Sequence, residues 1–349
     1  MKRIITSMLA VLLASCLLPV LFYHGTSLVL QKNLDTAARD FWQDLTSPKP
    51  PDDAVVSPPP VEAEPTPEAS LVPIWDSGTK QLLQVPLREY VIGAVASEMP
   101  QSWPDAALQA QAVAAHTYLL YRRDHCDSAS LGGAWLSADP GQRQGFMTDS
   151  VLRSYWGTHY EANYARLSAL VDQVLNTILT YDDSPAAASY FAISNGKTEA
   201  SQNVWNESLP YLQGVDSSWD KEAEGYATTV SFSSSQMHNA LLTGLNIQPN
   251  GCRPEEYFSD FAYTDAGYVA SLNVCGQHVL GTVLRSALHL RSSCFSITWD
   301  GNNFQITTYG YGHGVGLSQT GAMAMAQQGS TWQEILEHYF PGTRLTVIE

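Results

Sequence analysis

Charge is scarce in this chain. Only 15% of its 349 residues are Asp, Glu, Lys or Arg, and just 18 of those are basic against 34 acidic, a net charge of −16. Sequence-independent binding of nucleic acid needs Lys and Arg to neutralise phosphates, so that class is excluded. Cysteine is also sparse, at five residues. A folded region of this length needs no disulfide staples. Cys126, Cys252, Cys275 and Cys294 would be free to pair outside the cytoplasm, and four cysteines allow three pairings among which the sequence does not choose. No internal repeat is found. What the chain does have is apolar mass, 44% hydrophobic with 10% aromatic, which excludes wholesale disorder. Its length fits one large domain or two ordinary ones.

One long apolar run stands out. After Met1-Lys2-Arg3, residues 4–23 carry no charge. A helix of that length spans roughly 30 Å of hydrocarbon. Leu13-Ala14-Ser15-Cys16 resembles a lipoprotein processing box but sits inside the run, and no Ala-x-Ala cleavage pattern follows it. Length and flanks therefore favour an uncleaved single-pass transmembrane helix over residues 1–23. Lys2 and Arg3 before the span place the rest of the chain outside the cytoplasm. Residues 31–45 carry a weak helical pattern. Nine prolines then fall between Ser47 and Pro73, mixed with Asp52, Asp53, Glu62, Glu64 and Glu68. Proline favours extended polyproline II, so residues 24–73 read as an acidic spacer, with a proline-rich ligand for another domain as the alternative. The folded domain is expected over residues 74–349.

The segment from Val85 to Pro100 reads as a helix. Pro86 suits its start, Leu87, Val91 and Val95 recur on one face, and Pro100 ends it. Glu98 continues that apolar face while Glu89 turns to solvent. A second helix is expected over 106–121, capped by Ser102 or Trp103, with Leu108, Ala112, Ala115 and Leu119 facing inward and His116 beside them. A carboxyl at the end of a core-facing stripe is desolvated, which raises its pKa and suits a general acid. On spacing alone the bland reading, a Glu that escapes to solvent or pairs with an Arg, is the favoured one. Farther along, residues 166–179 start helical and run into a short strand near 178–181, further strands are expected over 188–193, 227–232, 269–274 and 295–309, and helices over 282–290 and 330–339. Segregated elements of this kind indicate an α+β fold.

Three blocks carry a resemblance. The first runs from Val85 to Gly93 through Glu98-Met99-Pro100, then Trp103-Pro104 and Ala107 to Ala115. The second is Ser194-Asn195-Gly196-Lys197-Thr198-Glu199-Ala200-Ser201 with Val204-Trp205 and Leu209-Pro210-Tyr211-Leu212. The third is Gly310-Tyr311-Gly312-His313-Gly314-Val315-Gly316-Leu317-Ser318-Gln319, followed by Gly321-Ala322 and by Ile335-Leu336, His338-Tyr339 and Pro341-Gly342-Thr343. Together they resemble the sporulation stage II protein D (SpoIID/LytB) domain family. The resemblance implies a single mixed domain behind an anchor and a spacer, and a lytic transglycosylase acting on peptidoglycan glycan strands. It also implies a place in engulfment beside an amidase and a membrane-protein partner. Glu98 matches the family's catalytic acid. The LytB branch implies a different role, a glycan-binding enhancer of an amidase.

Two departures from the family pattern matter. His116 stands where the family usually has Arg, so substrate anchoring near Glu98 is expected to differ. Some members bind zinc through a His and two Cys after the second helix. Here Ser137 and Arg143 stand where those cysteines would be, so neither zinc nor any other cofactor is expected.

A single carboxyl suffices for transglycosylation, because the sugar's own 6-hydroxyl replaces water as the nucleophile. A hydrolytic muramidase would need a second carboxylate, for which Asp105 and Glu199 are the candidates. The substrate side is expected to include His116, Ser194, Asn195, Gly196, Lys197, Thr198, Glu199, Gly312, His313 and Gly314. On residues alone, the Ser194 block reads equally as a solvated loop and His313 as a structural ring. Trp205 and Trp219 could stack on sugars or fill the core.

Overall fold

The computed structural model describes residues 71–205 and 207–348. The expected membrane anchor, the weak helix over 31–45 and nearly all of the spacer lie outside these residues. Among the described residues no helix is long and apolar enough to cross a membrane. Pro73, expected to close the spacer, instead lies within the first strand, β1 (Leu71–Asp76).

Strand β1 pairs antiparallel with β2 (Gln81–Pro86) and parallel with β3 (Leu136–Ala138). Helix α1 (Leu87–Glu98) starts directly at Pro86, whose fixed φ suits that position. Every residue from Tyr90 to Ala96 is buried, so α1 is enclosed all round rather than apolar along one stripe. Glu89 is exposed, as its phase on the helix requires. Gly93 allows this enclosure. A Cβ there would lie 2.2 Å from the Met147 carbonyl oxygen, and Met147 N–H donates to Gly93 O at 3.1 Å.

Helix α2 (Asp105–His125) is the axis of the fold, with Ala107 through Thr117 buried without interruption. Its alanines let α1 and the segments 160–172, 177–181, 319–327 and 332–339 pack close around it. The expected cap at Ser102 or Trp103 is not formed. Pro104 takes the cap position without a side-chain bond, and the helix runs four residues past Tyr121. Arg122, Arg123 and His125 fall in its last turn, where cations oppose the helix dipole. Two more helices follow, α3 (Asp149–Trp156) and α4 (Tyr160–Asp172). Strand β4 (Thr177–Tyr181) is tied to α2 by the Leu179 N–H, which donates to Thr117 Oγ1 at 2.9 Å. Next come β5 (Ser184–Pro185), β6 (Tyr190–Phe191) and the one-turn α5 (Gln202–Trp205).

The chain then builds a second core. Its elements are β7 (Ala227–Ser233), α6 (Ser234–Leu245), β8 (Phe258–Tyr263), β9 (Val269–Val274), β10 (Gln277–Leu280), α7 (Gly281–Ala287), β11 (Phe295–Trp299) and β12 (Asn303–Tyr309). Met237, Leu241, Leu272, Leu284, Phe304 and Ile306 are among the side chains that fill it. The single strand expected over 295–309 is a hairpin. Asp300 Oδ1 accepts the Asn302 and Asn303 N–H groups at 2.9 and 2.7 Å and turns the chain. Entry and exit are stitched together, since Gly310 N–H donates to Tyr226 O at 2.7 Å.

After this excursion the chain returns to the first core. Strand β13 (Leu317–Ser318) pairs parallel with β6. Helices α8 (Gln319–Gln327) and α9 (Trp332–Tyr339) pack on α2, and β14 (Arg344–Val347) pairs with β4. Helix α9 carries a full capping box between Thr331 and Glu334. Described residues thus form a mixed α+β architecture of short separate sheets, with helices gathered around α2.

His116 departs from its expected place on the substrate side. It is only 2% exposed, and neither ring nitrogen has a partner in hydrogen-bond geometry. Burial pushes its pKa down to about 4, more than the nearby Leu175 backbone raises it. An ordinary His binds a proton near 6.5 in the unfolded chain. Stability contributed by His116 is therefore complete above that pH and is lost as pH falls toward 4. Unfolding free energy from urea melts is expected to drop by about 2 kcal/mol between pH 7.5 and 5 on this account. His116→Leu should remove that part of the slope; an unchanged slope would contradict the assignment.

Candidate active site

Helix α1 ends at Glu98 because Met99 turns to an extended conformation, its N–H still reaching Val95 O at 2.9 Å. The Glu98 side chain is half-buried. Its Oε2 accepts a hydrogen bond from Gln319 Nε2 at 3.0 Å. Loss of hydration raises the carboxyl pKa, and the Gln319 bond offsets part of that rise. Among the described residues no cation pairs with it within ion-pair distance. The two bland expectations, escape to solvent and pairing with an Arg, are both absent.

Two phenols lie close enough to feel the charge of this carboxyl, Tyr90 from α1 and Tyr190 from β6, and Tyr118 from α2 lies near both of them. Burial pushes the Tyr90 and Tyr190 hydroxyls well above the ordinary range, and the negative charge of Glu98 adds to both shifts. A carboxylate in such surroundings is costly, so the site favours the protonated acid. That is the state a general acid needs before reaction.

Gln319 is delivered by the return of the chain. Strand β13 lays Ser318 beside Phe191, and Ser318 caps α8 by accepting the Gly321 N–H at 3.4 Å. Beneath this corner lies Asp220, which is fully buried. Its Oδ2 accepts from Ser318 Oγ at 2.7 Å, from Ser217 Oγ at 2.9 Å and from the Ser194 N–H at 2.9 Å. Its Oδ1 accepts from Thr320 Oγ1. The Thr320 N–H donates to Ala192 O at 3.1 Å.

The Ser194–Glu199 block forms a joint between the two cores. Ser194, Gly196, Thr198 and Glu199 are buried. Ser194 Oγ accepts the Gly196 N–H at 3.0 Å, and Thr198 Oγ1 accepts the Val215 N–H at 2.9 Å. Asn195 Nδ2 donates to Ala266 O at 2.8 Å, so its amide holds the second core. Glu199 accepts from the Ala200 N–H and from Asn203 Nδ2, each at 2.8 Å, and its other oxygen accepts from Thr264 Oγ1. Lys197 is half-buried, and its carbonyl accepts from Tyr268 Oη at 3.2 Å. Polar residues in a Gly-containing stretch read as a loop in sequence; here they satisfy the buried backbone where two cores meet.

The glycine block passes beside Glu98's neighbours. Gly312 and Gly314 sit at φ of +120° and +88°, and a Cβ would lie 2.6 Å from Phe191 Cβ and 2.8 Å from Tyr268 Oη respectively. Only glycine fits both demands. His313 between them is a neutral strut. Its Nδ1 accepts the Val315 N–H at 3.1 Å, which leaves Nε2–H to donate to Tyr190 O at 3.0 Å. Burial, with help from the charge on Arg285, pushes its pKa down to about 4. The ring therefore fixes Tyr190 and has no spare nitrogen for a ligand. Trp205 packs on it with centroids 5.2 Å apart and remains 43% exposed.

The family model described as stage II sporulation protein matches residues 76–181, a span that holds α1, Glu98, α2 and β4. The stage II sporulation protein D of Bacillus subtilis is 33% identical over 275 residues, covering 79% of this chain and 78% of that one. The chain belongs to the stage II sporulation protein D family. Its relative of the same description from Bacillus amyloliquefaciens is 37% identical over 287 residues, 81% of each. A Bacillus subtilis protein described as an amidase enhancer is 27% identical over 303 residues, covering 73% of this chain and 40% of that longer one.

Within the family frame the zinc question has a structural answer. Ser137 lies in β3 and the Arg143 guanidinium stacks 4.4 Å over the Tyr155 ring. Neither is a zinc ligand, so the residues at these two positions do not fit that metal. Tyr90, Tyr118, Tyr190 and Asp220 were not among the sequence-predicted site residues. Asp220 has no local signal, since its four donors come from segments up to 100 residues away.

Proposed function

We propose that this chain is a lytic transglycosylase that cleaves the MurNAc–GlcNAc bond of peptidoglycan glycan strands. The observation that carries this reading is a single half-buried carboxyl, Glu98, with no cationic partner and one amide donor on Oε2. Protonated Glu98 gives its proton to the glycosidic oxygen as the C1–O bond breaks. The sugar gains oxocarbenium character. The carboxylate left behind takes the proton of the same sugar's 6-hydroxyl, and O6 closes on C1. Glu98 is thereby restored, and the product carries a 1,6-anhydro ring. Exposed Trp205 offers an aromatic face on which a sugar can stack.

The hydrolytic alternative is less favoured, because both candidate second carboxylates are engaged elsewhere. Asp105 is engaged by Arg166, and Glu199 is buried in the joint. The binding alternative, a glycan-binding enhancer of an amidase, is kept by the 27% identity to the amidase enhancer. Localisation belongs to the same proposal. A single-pass anchor would hold the folded part outside the cytoplasm, beside wall substrate and within reach of an amidase and a membrane-protein partner during engulfment.

The test uses the full chain in detergent with glycan strands stripped of stem peptides, and reads products by mass. Ends one water lighter than hydrolysed MurNAc support transglycosylation. Reducing MurNAc ends indicate a muramidase. Glycan retention without cleavage, with stimulation of an added amidase, indicates the enhancer.

A further inference from the structure

A carboxyl has two oxygens, and only the one bearing the proton can serve as the acid. Gln319 Nε2 donates to Oε2 of Glu98, which makes Oε2 an acceptor, and among the described residues Oε1 has no hydrogen-bond partner. Gln319 is 2% exposed, so water does not readily replace it. The two residues flanking Gln319 are both bound to one buried carboxylate, Ser318 through Asp220 Oδ2 at 2.7 Å and Thr320 through Oδ1. Thr320 is held a second time, its N–H on Ala192 O at 3.1 Å. The backbone that carries Gln319 is thus gripped on either side of that residue.

We propose that Gln319 confines the Glu98 proton to Oε1, and that Asp220, acting through Ser318 and Thr320, is the positioning residue that keeps Gln319 there. A proton shared between both oxygens would be aimed at the glycosidic oxygen for only part of the time. The clamp removes that ambiguity before substrate arrives, which is the preorganisation a general acid requires. Asp220 touches neither substrate nor Glu98. It accepts four hydrogen bonds and works only through the start of α8.

The acid role of Glu98 comes from the function proposed above, but the clamp is measurable without catalysis. The titratable groups that feel the Glu98 charge are Tyr90 on its own helix and Tyr190 from β6, both phenols that burial keeps protonated across the working range. A titration of Glu98 below pH 9 therefore reports on Gln319 and burial alone. The full chain is labelled with carboxyl-¹³C glutamate, and the Glu98 signal is identified by its loss in Glu98→Gln. Gln319→Leu should raise the Glu98 midpoint by about one pH unit, a tenfold gain in proton affinity. Asp220→Asn should move the midpoint the same way by a smaller amount, and adding it to Gln319→Leu should move it no further.

An unmoved midpoint in Gln319→Leu overturns the proposal. So does an Asp220→Asn protein that melts lower but titrates like the parent, because a merely structural role would do that. Should Asp220→Asn not fold, Ser318→Ala and Thr320→Val carry the same expectation. A chain that titrates as expected yet leaves glycan uncut would sink the transglycosylase reading and leave the clamp standing. A cutting enzyme with an unmoved midpoint would do the reverse.

Discussion

Glu98→Gln is expected to lower glycan cleavage by about 10²- to 10⁴-fold, the usual worth of a positioned general acid. The amide keeps the size of the side chain but has no acidic proton to give. Its carbonyl can still meet the Gln319 amide, so the pocket should stay closed. The direction of the pKa shift adds two further expectations. In the parent, burial keeps Glu98 protonated above the ordinary glutamate range, so cleavage should fall on the alkaline side through a raised midpoint rather than near 4.5. At pH 7 an ionised Glu98 opposes folding, because its folded pKa lies above its unfolded one. The neutral amide relieves that, and the melting temperature of Glu98→Gln at pH 7 should equal or exceed the parent's. Retention of anhydro-product formation by this variant, measured by mass on stripped strands, would remove Glu98 from the chemistry.

The second large effect is structural. Glu199→Ala strips the acceptor from three donors, the Ala200 N–H, the Asn203 amide and the Thr264 hydroxyl. The Ala200 N–H and the Thr264 hydroxyl are half-buried while the Asn203 amide can turn to water, so a loss of about 1–2 kcal/mol is expected in unfolding free energy. Thr264 belongs to the second core and Glu199 to the segment that leads into it, so the loss should first appear as loosened protection of the second core. Hydrogen exchange would read it as faster amides across β8 and β9. Glycan affinity of the folded variant should match the parent's. A variant that melts like the parent but binds glycan weakly would return Glu199 to the substrate side.

Much of the first core was legible in the sequence. The apolar run from Leu87 to Val95 and the two bracketing prolines define α1 to within a residue or two, because proline and periodicity act locally. The alanine-rich run marks α2 in the same way. Periodicity erred where it implied one buried face, since the central stretches of both helices, Tyr90 to Ala96 and Ala107 to Thr117, are buried on every side. Burial of that kind depends on how many neighbours arrive, which no helix encodes by itself. The hairpin over 295–309 was missed because its two strands are separated only by Gly301 and Asn302 beside an Asp300 turn.

Site residues divide along the same line. His116, four beyond Ala112, looked like a substrate anchor, but on α2 it lies about 200° from Tyr118, which neighbours the two phenols beside Glu98. The Ser194–Glu199 block and His313 have the polar chemistry of a binding loop, yet their hydrogen bonds are spent within the chain. Polarity in a sequence states a capacity to bond and says nothing of the partner.

By itself the sequence determined the family, the ends of α1, the presence of a carboxyl at position 98 and the glycines that let the returning chain pass close to Phe191 and Tyr268. Those depend on short-range rules of backbone and periodicity. Only the tertiary structure decided that Glu98 would lack a cation, that Gln319 from 221 residues away would hold one of its oxygens, and that Asp220 would anchor that contact. Long-range contacts of this kind exist only once α8 has docked against α2, so the acidity of the carboxyl is a property of the packed fold and not of its own helix.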